Sequence, residues 1–268
     1  MSSSRNVALP LNYRKHGNAG RDMIVLHGLF GSGKNWRSFA HSLENSFQVW
    51  LLDARNHGDS PHAESMSYQK MAEDVVNFLD ENELERVMLL GHSMGGKTAM
   101  QLALNFPERV AGLIVVDMAP VQYEHYKKPL EIIQAMQDLG LPAEMTRAEI
   151  EKKLAQKIDE KYILAFIMTN LTRKKNVFKW KIGLEQIASG LSELFRSFEQ
   201  EKVFSGPALF VGGQNSSYIK PEYHPQIRKL FPGSRVTMLK NSGHWLHAEQ
   251  PVAFQKTVSA FLKMADLL

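Results

Sequence analysis

The stretch around residue 93 constrains the fold more than any other part of the chain. An apolar run at 87–90 leads into Gly91-His92-Ser93-Met94-Gly95, and a helical pattern then continues over 94–106 until Pro107 stops it. A serine in a loop is usually a turn former or a helix cap. Here the flanking glycines let a strand and a helix approach closely, so that a sharp turn can hold the serine in a strained, exposed position. The pattern predicts a strand–turn–helix unit with Ser93 as a candidate nucleophile.

The remaining sequence alternates short apolar runs with helical patterns. The runs that predict strands are 23–28, 47–55, 86–93, 110–120, 207–213 and 235–244, and the clearest helical patterns are 67–83, 94–106 and 251–268. Such alternation is typical of a mostly parallel sheet covered by helices. We therefore expect an α/β fold.

The interval 122–203 interrupts this alternation. It is rich in Lys, Glu, Gln and Met at helical spacing and contains no run that indicates a buried strand. We interpret it as an inserted helical cap on a core formed by residues 1–121 and 204–268. Five basic residues lie within 172–181, and we interpret them as a solvated helix face, with a site for an anionic partner as the alternative: Arg173, Lys174, Lys175, Lys179 and Lys181.

Composition excludes several classes of protein. With 268 residues, 44% of them hydrophobic, the chain can bury a full core. No run of about 18 uncharged apolar residues exists for a membrane span, and the first residues lack the apolar region of a secretory signal, so we expect a cytoplasmic protein. The absence of cysteine excludes a thiol nucleophile and cysteine-ligated metals. The net charge of +4 is modest, and we expect no nucleic-acid partner.

A serine hydroxyl needs a base to act as a nucleophile near neutral pH, and the base needs an orienting acid. His244 lies between the last predicted strand and the last predicted helix, where the chain order Ser, Asp, His places the base. His247 is the nearest alternative, although it fits better as a polar residue leading into the final helix. We assign the base to His244.

The acid is less obvious. The loop after the 207–213 strand, where most chains of this pattern carry an aspartate, contains only Glu222. Asp117, by contrast, lies toward the end of the neighbouring 110–120 run, and a carboxylate at the end of a buried strand is costly unless it is paired. We therefore predict Asp117 as the acid, with Glu222 as the alternative. A hydrogen bond to the His–Asp pair from one of three residues stays open: Asn215, Ser216 or Ser217.

Two backbone N–H groups are predicted to stabilise a negatively charged oxygen. Met94 begins the helix after Ser93, so its N–H lies at the positive end of the helix dipole. The second candidate is the N–H of Leu29, in the turn "HGLFG" at 27–31 that follows an earlier strand.

Six motifs together resemble the α/β-hydrolase superfamily, and within it the bacterial YbfF-type serine esterases. They are "HGLFGSGKNW", "LLDARNHGDSP", "GHSMGGKTAM", "VVDMAP", "PALFVGGQNSSYI" and "GHWLHAEQP". The resemblance implies an eight-stranded core sheet with a helical cap and hydrolysis of small carboxylic esters without a cofactor or metal. It also implies the roles of Ser93 as nucleophile, His244 as base and Asp117 as acid, with Leu29 and Met94 forming the oxyanion hole.

Two alternative functions stay open. An acyl-CoA thioesterase would use the same triad on a thioester substrate. A non-catalytic small-molecule binding protein that kept the hydrolase fold would also fit, since fold does not dictate function.

Overall fold

The computed structural model describes residues 8–124, 127–198 and 202–268. In chain order, its main elements are β1 Tyr13–His16, β2 Arg21–Leu26, α1 Arg37–Leu43, β3 Phe47–Leu52, α2 Tyr68–Glu81, β4 Val87–His92, α3 Met94–Asn105, β5 Val110–Val116, α4 Lys127–Asp138, α5 Arg147–Leu154, α6 Lys161–Met168, β6 Leu171–Lys174, β7 Val177–Trp180, α7 Leu184–Phe195, β8 Ala208–Gly213, α8 His224–Leu230, β9 Ser234–Leu239, α9 Leu246–Glu249 and α10 Pro251–Met264.

The main sheet has the strand order β1-β3-β2-β4-β5-β8-β9. Every neighbouring pair is parallel except β1 with β3. Strand β4, which leads into Ser93, lies in the middle between β2 and β5, and it is buried along its whole length. The predicted α/β fold with a mostly parallel sheet is confirmed, and each of the six predicted strands forms.

The implied count of eight strands is wrong for the part of the chain that the structure describes, in which the main sheet has seven. Among the described residues before β2, one antiparallel edge strand forms, β1. Just before β1, the Leu9 N–H donates to Asp74 and the Asn12 N–H donates to Ser60, so these two backbone donors bond to side chains.

Helices cover both faces of the sheet, as the periodicity predicts. On one face, α2 buries a stripe that includes Met71, Val75 and Phe78, and the Ser67 hydroxyl caps its N-terminus by accepting the Lys70 N–H. Helix α3 packs beside α2 and is buried from Met94 to Leu104, with small residues facing β4 and β5. On the other face, α1 and α10 cover a second apolar cluster. The turn after Ser93 is thus held from both sides of the sheet.

The segment between β5 and β8 leaves the sheet and returns to it, since these two strands are direct neighbours. It contains helices α4 to α7, and α5 begins at a capping box formed by Thr146 and Glu149. Strands β6 and β7 also lie in this segment and form a separate antiparallel pair.

The interpretation of the basic cluster at 172–181 as a helix face is therefore wrong. The cluster lies on the β6–β7 hairpin, and the two turn residues Lys175 and Asn176 have φ values of 49° and 62°. Positive φ at both central residues is the geometry of the two-residue turns that match strand twist. The side chains of Arg173 and Lys174 are exposed on this hairpin.

Over residues 8–124, 127–198 and 202–268, no helix has the length and apolar character needed to span a bilayer. The longest helices, α2 and α10, have 14 residues each. The cytoplasmic location stays a prediction.

Candidate active site

Ser93 lies at the turn between β4 and α3 with φ 53° and ψ −115°, a strained conformation for a residue with a side chain. The flanking glycines make the turn possible. A Cβ atom on Gly95 would lie 2.3 Å from the carbonyl oxygen of Leu26, and one on Gly91 would lie 2.1 Å from the carbonyl oxygen of Gly95. Strand and helix therefore approach as closely as the sequence pattern predicts, and the turn projects Ser93 into a cavity.

The structure brings His244 and Asp117 together. His244 Nδ1 lies 2.7 Å from Asp117 Oδ2, and the Asp117 side chain is fully buried. Because a carboxylate accepts, Nδ1 carries the proton of the neutral ring and leaves Nε2 free to accept one. The His244 ring also stacks on Tyr218, with ring centroids 4.3 Å apart. These contacts fix the orientation of the imidazole.

The last residue of β8 and the loop after it supply donors to the Asp117 carboxylate. Oδ1 accepts the Gly213 N–H at 3.0 Å, and Oδ2 accepts the Ser216 hydroxyl at 2.5 Å. Of the three residues that the sequence left open, Ser216 is the one that makes this bond. Glu222 lies apart from His244, with a side chain 64% exposed and 3.6 Å from Lys220 Nζ. The contacts therefore favour Asp117 over Glu222.

Ser93 and His244 line the same cavity, although no hydrogen bond joins their side chains. Contacts between nucleophile and base are often long without substrate and tighten in the complex.

The turn at 27–31, called the oxyanion turn for its predicted role, lies against Ser93, since a Cβ atom on Gly28 would be 3.4 Å from the Ser93 Cβ. The Gly28 carbonyl accepts the Gly31 N–H at 2.9 Å and lies 2.8 Å from His27 Nδ1. In a planar peptide the C=O and the next N–H point in opposite directions, so these two contacts also fix the N–H of Leu29. The Met94 N–H is the first of α3 and has no partner within the helix.

The cavity has a volume of about 310 Å³ and a largely apolar lining. Core residues around Ser93 form one part of its wall, and residues of the segment between β5 and β8 form another. The apolar side chains contributed by that segment are Pro129, Ile132, Ile163, Phe166, Leu194 and Phe195. A cavity of this size and character fits a small apolar molecule.

Several histidines around the site are structural. His27 and His92 are buried, and burial lowers the pKa of both rings. His27 Nε2 accepts the Ala54 N–H, and His92 Nε2 donates to the His244 carbonyl. His247 stacks on Trp36 at 4.1 Å, and burial, followed by the charge of His244, lowers the pKa of His247 to about 3. None of the three contacts the Asp117 carboxylate.

The sequence motifs gave no role to His57, which lies in the loop after β3. Its Nε2 accepts the Phe30 N–H at 3.2 Å, while Nδ1 donates to the Arg55 carbonyl at 2.9 Å. Burial, followed by the charge of His27, lowers the pKa of His57 to about 3, so the ring is neutral and can accept. The only signal in the sequence is its place in "RNHGDS", after a strand on the same sheet edge as the oxyanion turn.

Comparison with known proteins agrees with this geometry. The family model described as alpha/beta hydrolase fold matches residues 23–251. The chain is 38% identical over 262 residues to the sn-1-specific diacylglycerol lipase ABHD11 of Mus musculus, covering 95% of this chain and 85% of that protein. It is 30% identical over 257 residues to Esterase YbfF of Escherichia coli (strain K12), covering 96% of this chain and 98% of that protein. A solved structure described as a marine microorganism esterase has a TM-score of 0.93 and 40% identity, covering 95% of this chain and 100% of that chain.

The chain belongs to the α/β-hydrolase family. Within that family it is an esterase/lipase-type hydrolase related to YbfF.

Proposed function

We propose that the protein is a serine carboxylesterase that cleaves small esters through an acyl-enzyme intermediate. The observation that carries this proposal is the convergence of Ser93, the hydrogen-bonded pair of His244 and Asp117, and the turn at Leu29 on one apolar cavity. These positions support the roles in acyl transfer that we propose for the three groups.

In the proposed reaction, His244 Nε2 takes the proton of Ser93 as the hydroxyl oxygen attacks the ester carbonyl. The resulting oxyanion accepts hydrogen bonds from the N–H groups of Leu29 and Met94. The protonated His244, stabilised by the Asp117 carboxylate, then gives its proton to the leaving alkoxide. Water enters, loses a proton to His244 and attacks the acyl-enzyme carbonyl. The bond to the Ser93 oxygen then breaks, His244 returns the proton to that oxygen, and the acid leaves.

The apolar cavity favours an apolar acyl group. We propose that the segment 122–203 is the cap that covers the core formed by 1–121 and 204–268, because its side chains line the cavity above Ser93. A relative is named as an sn-1-specific diacylglycerol lipase, and acylglycerols therefore join simple esters as candidate substrates. The thioester alternative uses the same triad and differs only in the leaving group.

The test compares wild type with Ser93→Ala on p-nitrophenyl esters of graded chain length, a diacylglycerol and acyl-CoAs. We expect Ser93→Ala to fold and to lose on the order of 10⁴-fold or more in kcat, because the hydroxyl is the attacking group. A fluorophosphonate probe should label the wild type and leave the variant unlabelled. Turnover by the variant within tenfold of wild type would contradict the assignment.

Ser217→Ala is the matched control, since Ser217 is exposed on the loop after β8. This variant should keep its turnover and its labelling. If esters are cleaved much faster than acyl-CoAs of equal chain length, the carboxylesterase proposal stands. The opposite preference would support the thioesterase, and an unlabelled, inactive wild type would support the binding protein.

A further inference from the structure

The oxyanion turn contains a bulky residue at a position that suits glycine. The four residues from Gly28 to Gly31 form a turn closed by the Gly31 N–H, which donates to the Gly28 carbonyl at 2.9 Å. Phe30, the third residue, has φ 62°, whereas Leu29 is not among the residues with positive φ. This combination is the type II turn, in which the third position favours glycine. The turn therefore needs outside contacts to hold it in this form.

Two side chains supply such contacts, one at each peptide group of Phe30. The Phe30 N–H donates to His57 Nε2 at 3.2 Å, and the Phe30 carbonyl accepts an N–H from the Asn170 side-chain amide at 2.8 Å. The central peptide of a four-residue turn is the group that flips when a type II turn becomes type I. His57 fixes that peptide directly, and Asn170 fixes the next one.

His57 and Asn170 come from different parts of the molecule. His57 belongs to the loop after β3, in the core. Asn170 lies between α6 and β6, in the segment between β5 and β8, and is 140 residues away from Phe30 in sequence. It is 4% exposed, and its own backbone is tied into that segment because its carbonyl accepts the Lys181 N–H at 2.9 Å. The amide is thus a fixed donor that reaches from the inserted segment into the oxyanion turn.

We propose that Asn170 is a positioning residue, through which the position of the inserted segment on the core determines the geometry of the oxyanion hole. This inference rests on the proposed function, because it assigns the Leu29 N–H to the oxyanion. Asn170 holds the carbonyl of the Phe30–Gly31 peptide, and the N–H of the same peptide, from Gly31, donates to the Gly28 carbonyl at 2.9 Å. The Leu29 N–H lies on the opposite side of the Gly28–Leu29 peptide from that carbonyl. A Phe30–Gly31 peptide that turns away from Asn170 therefore loosens the bond to Gly28 and displaces the Leu29 N–H from the side of Ser93. The segment that lines the cavity over the substrate would in this way also complete the group that stabilises the transition state.

The coupling makes a specific kinetic prediction. A donor that acts only on the oxyanion affects the transition state and leaves ground-state binding nearly unchanged, so its loss lowers kcat with little change in KM. Loss of a whole oxyanion donor costs about 100- to 1,000-fold in kcat. Because Asn170 acts through the turn rather than on the substrate, we expect about 10- to 100-fold.

The experiment uses Asn170→Asp, which keeps the size of the side chain and removes the donor, because an ionised carboxylate only accepts. At pH 8, kcat for a p-nitrophenyl ester should fall about 10- to 100-fold while KM stays within about twofold. The inhibition constant of n-butylboronic acid, which forms a tetrahedral adduct on a nucleophilic serine, should rise by a similar factor. Asn170→Ala, measured in parallel, should show the same pattern, and thermal unfolding of both variants shows whether they fold.

Asp59→Asn is the matched control. It removes an ion pair with Lys181 that also joins the core to the inserted segment, but it has no contact with the turn at 28–31. Its kcat should stay within about twofold of wild type. Folded Asn170 variants with unchanged kcat, or with losses in KM alone, would overturn the coupling while the triad assignment stands. Failure of the Ser93→Ala test, by contrast, would remove the proposed function itself.

Discussion

The buried Lys97, in the helix that follows Ser93, allows a test of how burial changes the pKa of a lysine in this fold. It lies in α3, is buried, and donates from Nζ to the Val121 carbonyl at 2.9 Å and to the Arg196 carbonyl at 2.5 Å. Val121 is where the chain leaves the core after β5, and Arg196 is where it leaves α7 on its return. Burial lowers the pKa of Lys97 from 10.5 to about 7. The neutral amine still has two N–H donors, which match the two carbonyls.

The sign of the effect follows from proton linkage. Between about pH 7 and pH 10.5 the unfolded chain holds the Lys97 proton and the folded protein has largely released it, so stability rises with pH in this window. Each pKa unit corresponds to about 1.36 kcal/mol. With a folded pKa of about 7, the contribution of Lys97 to the free energy of unfolding should rise by about 3 kcal/mol between pH 7 and pH 9.5.

Lys97→Met removes the titrating group and keeps a side chain of similar length. Urea unfolding of both proteins, followed by tryptophan fluorescence at constant ionic strength, gives the free energy of unfolding at each pH. The loss of the two hydrogen bonds lowers the stability of the variant by an amount that does not depend on pH. The difference between wild type and variant should therefore grow by about 3 kcal/mol from pH 7 to pH 9.5. A difference that changes by less than about 1 kcal/mol, or that shrinks, would refute a depressed Lys97 pKa.

Two further predictions address the acid and the basic hairpin. Asp117→Asn should lower kcat for a p-nitrophenyl ester by about 10³- to 10⁴-fold, because an amide favours the wrong His244 tautomer. Glu222→Gln should leave kcat for the same ester nearly unchanged. The reverse pattern would assign the acid to Glu222. If the hairpin steers an anionic substrate, neutralising Lys174 and Lys175 should raise KM for an acyl-CoA, weaken its salt dependence and leave a neutral ester unaffected. Equal responses of both substrates within about twofold, at two salt concentrations, would leave the hairpin as a solvated surface.

The sequence predicted those parts of the molecule whose structure depends on residues close together in sequence. Periodicity located the six strands, because buried parallel strands are continuous apolar runs. The turn at Ser93 was predictable because close approach of strand and helix requires glycine at Gly91 and Gly95, and the structure has those approaches. The pairing of Asp117 with His244 was harder to infer, because the inference rested on the cost of burying a carboxylate without a partner.

The parts that the sequence did not predict depend on distant partners. The β6–β7 hairpin was missed because its turn residues, Lys175 and Asn176, lack the glycine that usually marks such turns, and its strands are only partly buried. The contacts of His57 and Asn170 with Phe30 join residues 27 and 140 positions apart, and no local pattern indicates them. Periodicity identifies elements, but it carries no information on which side chains meet across the fold.

The position of Asp117, the proposed acid, follows from the order of the strands in the main sheet. β5 lies between β4, which leads to Ser93, and β8, which is followed by β9 and the His244 loop. Asp117 therefore follows the strand next to the nucleophile, and with φ 49° it turns the chain at once after β5. The same carboxylate accepts the Gly213 N–H at the end of β8 and the Ser216 hydroxyl in the loop after it. The carboxylate therefore follows β5, and two of the donors that bind it come from β8 and the following loop. Burial of a carboxylate costs less when several hydrogen-bond donors surround it. Because the Asp117 carboxylate lies 2.7 Å from His244 Nδ1, the imidazole can be oriented without an aspartate in the loop after β8.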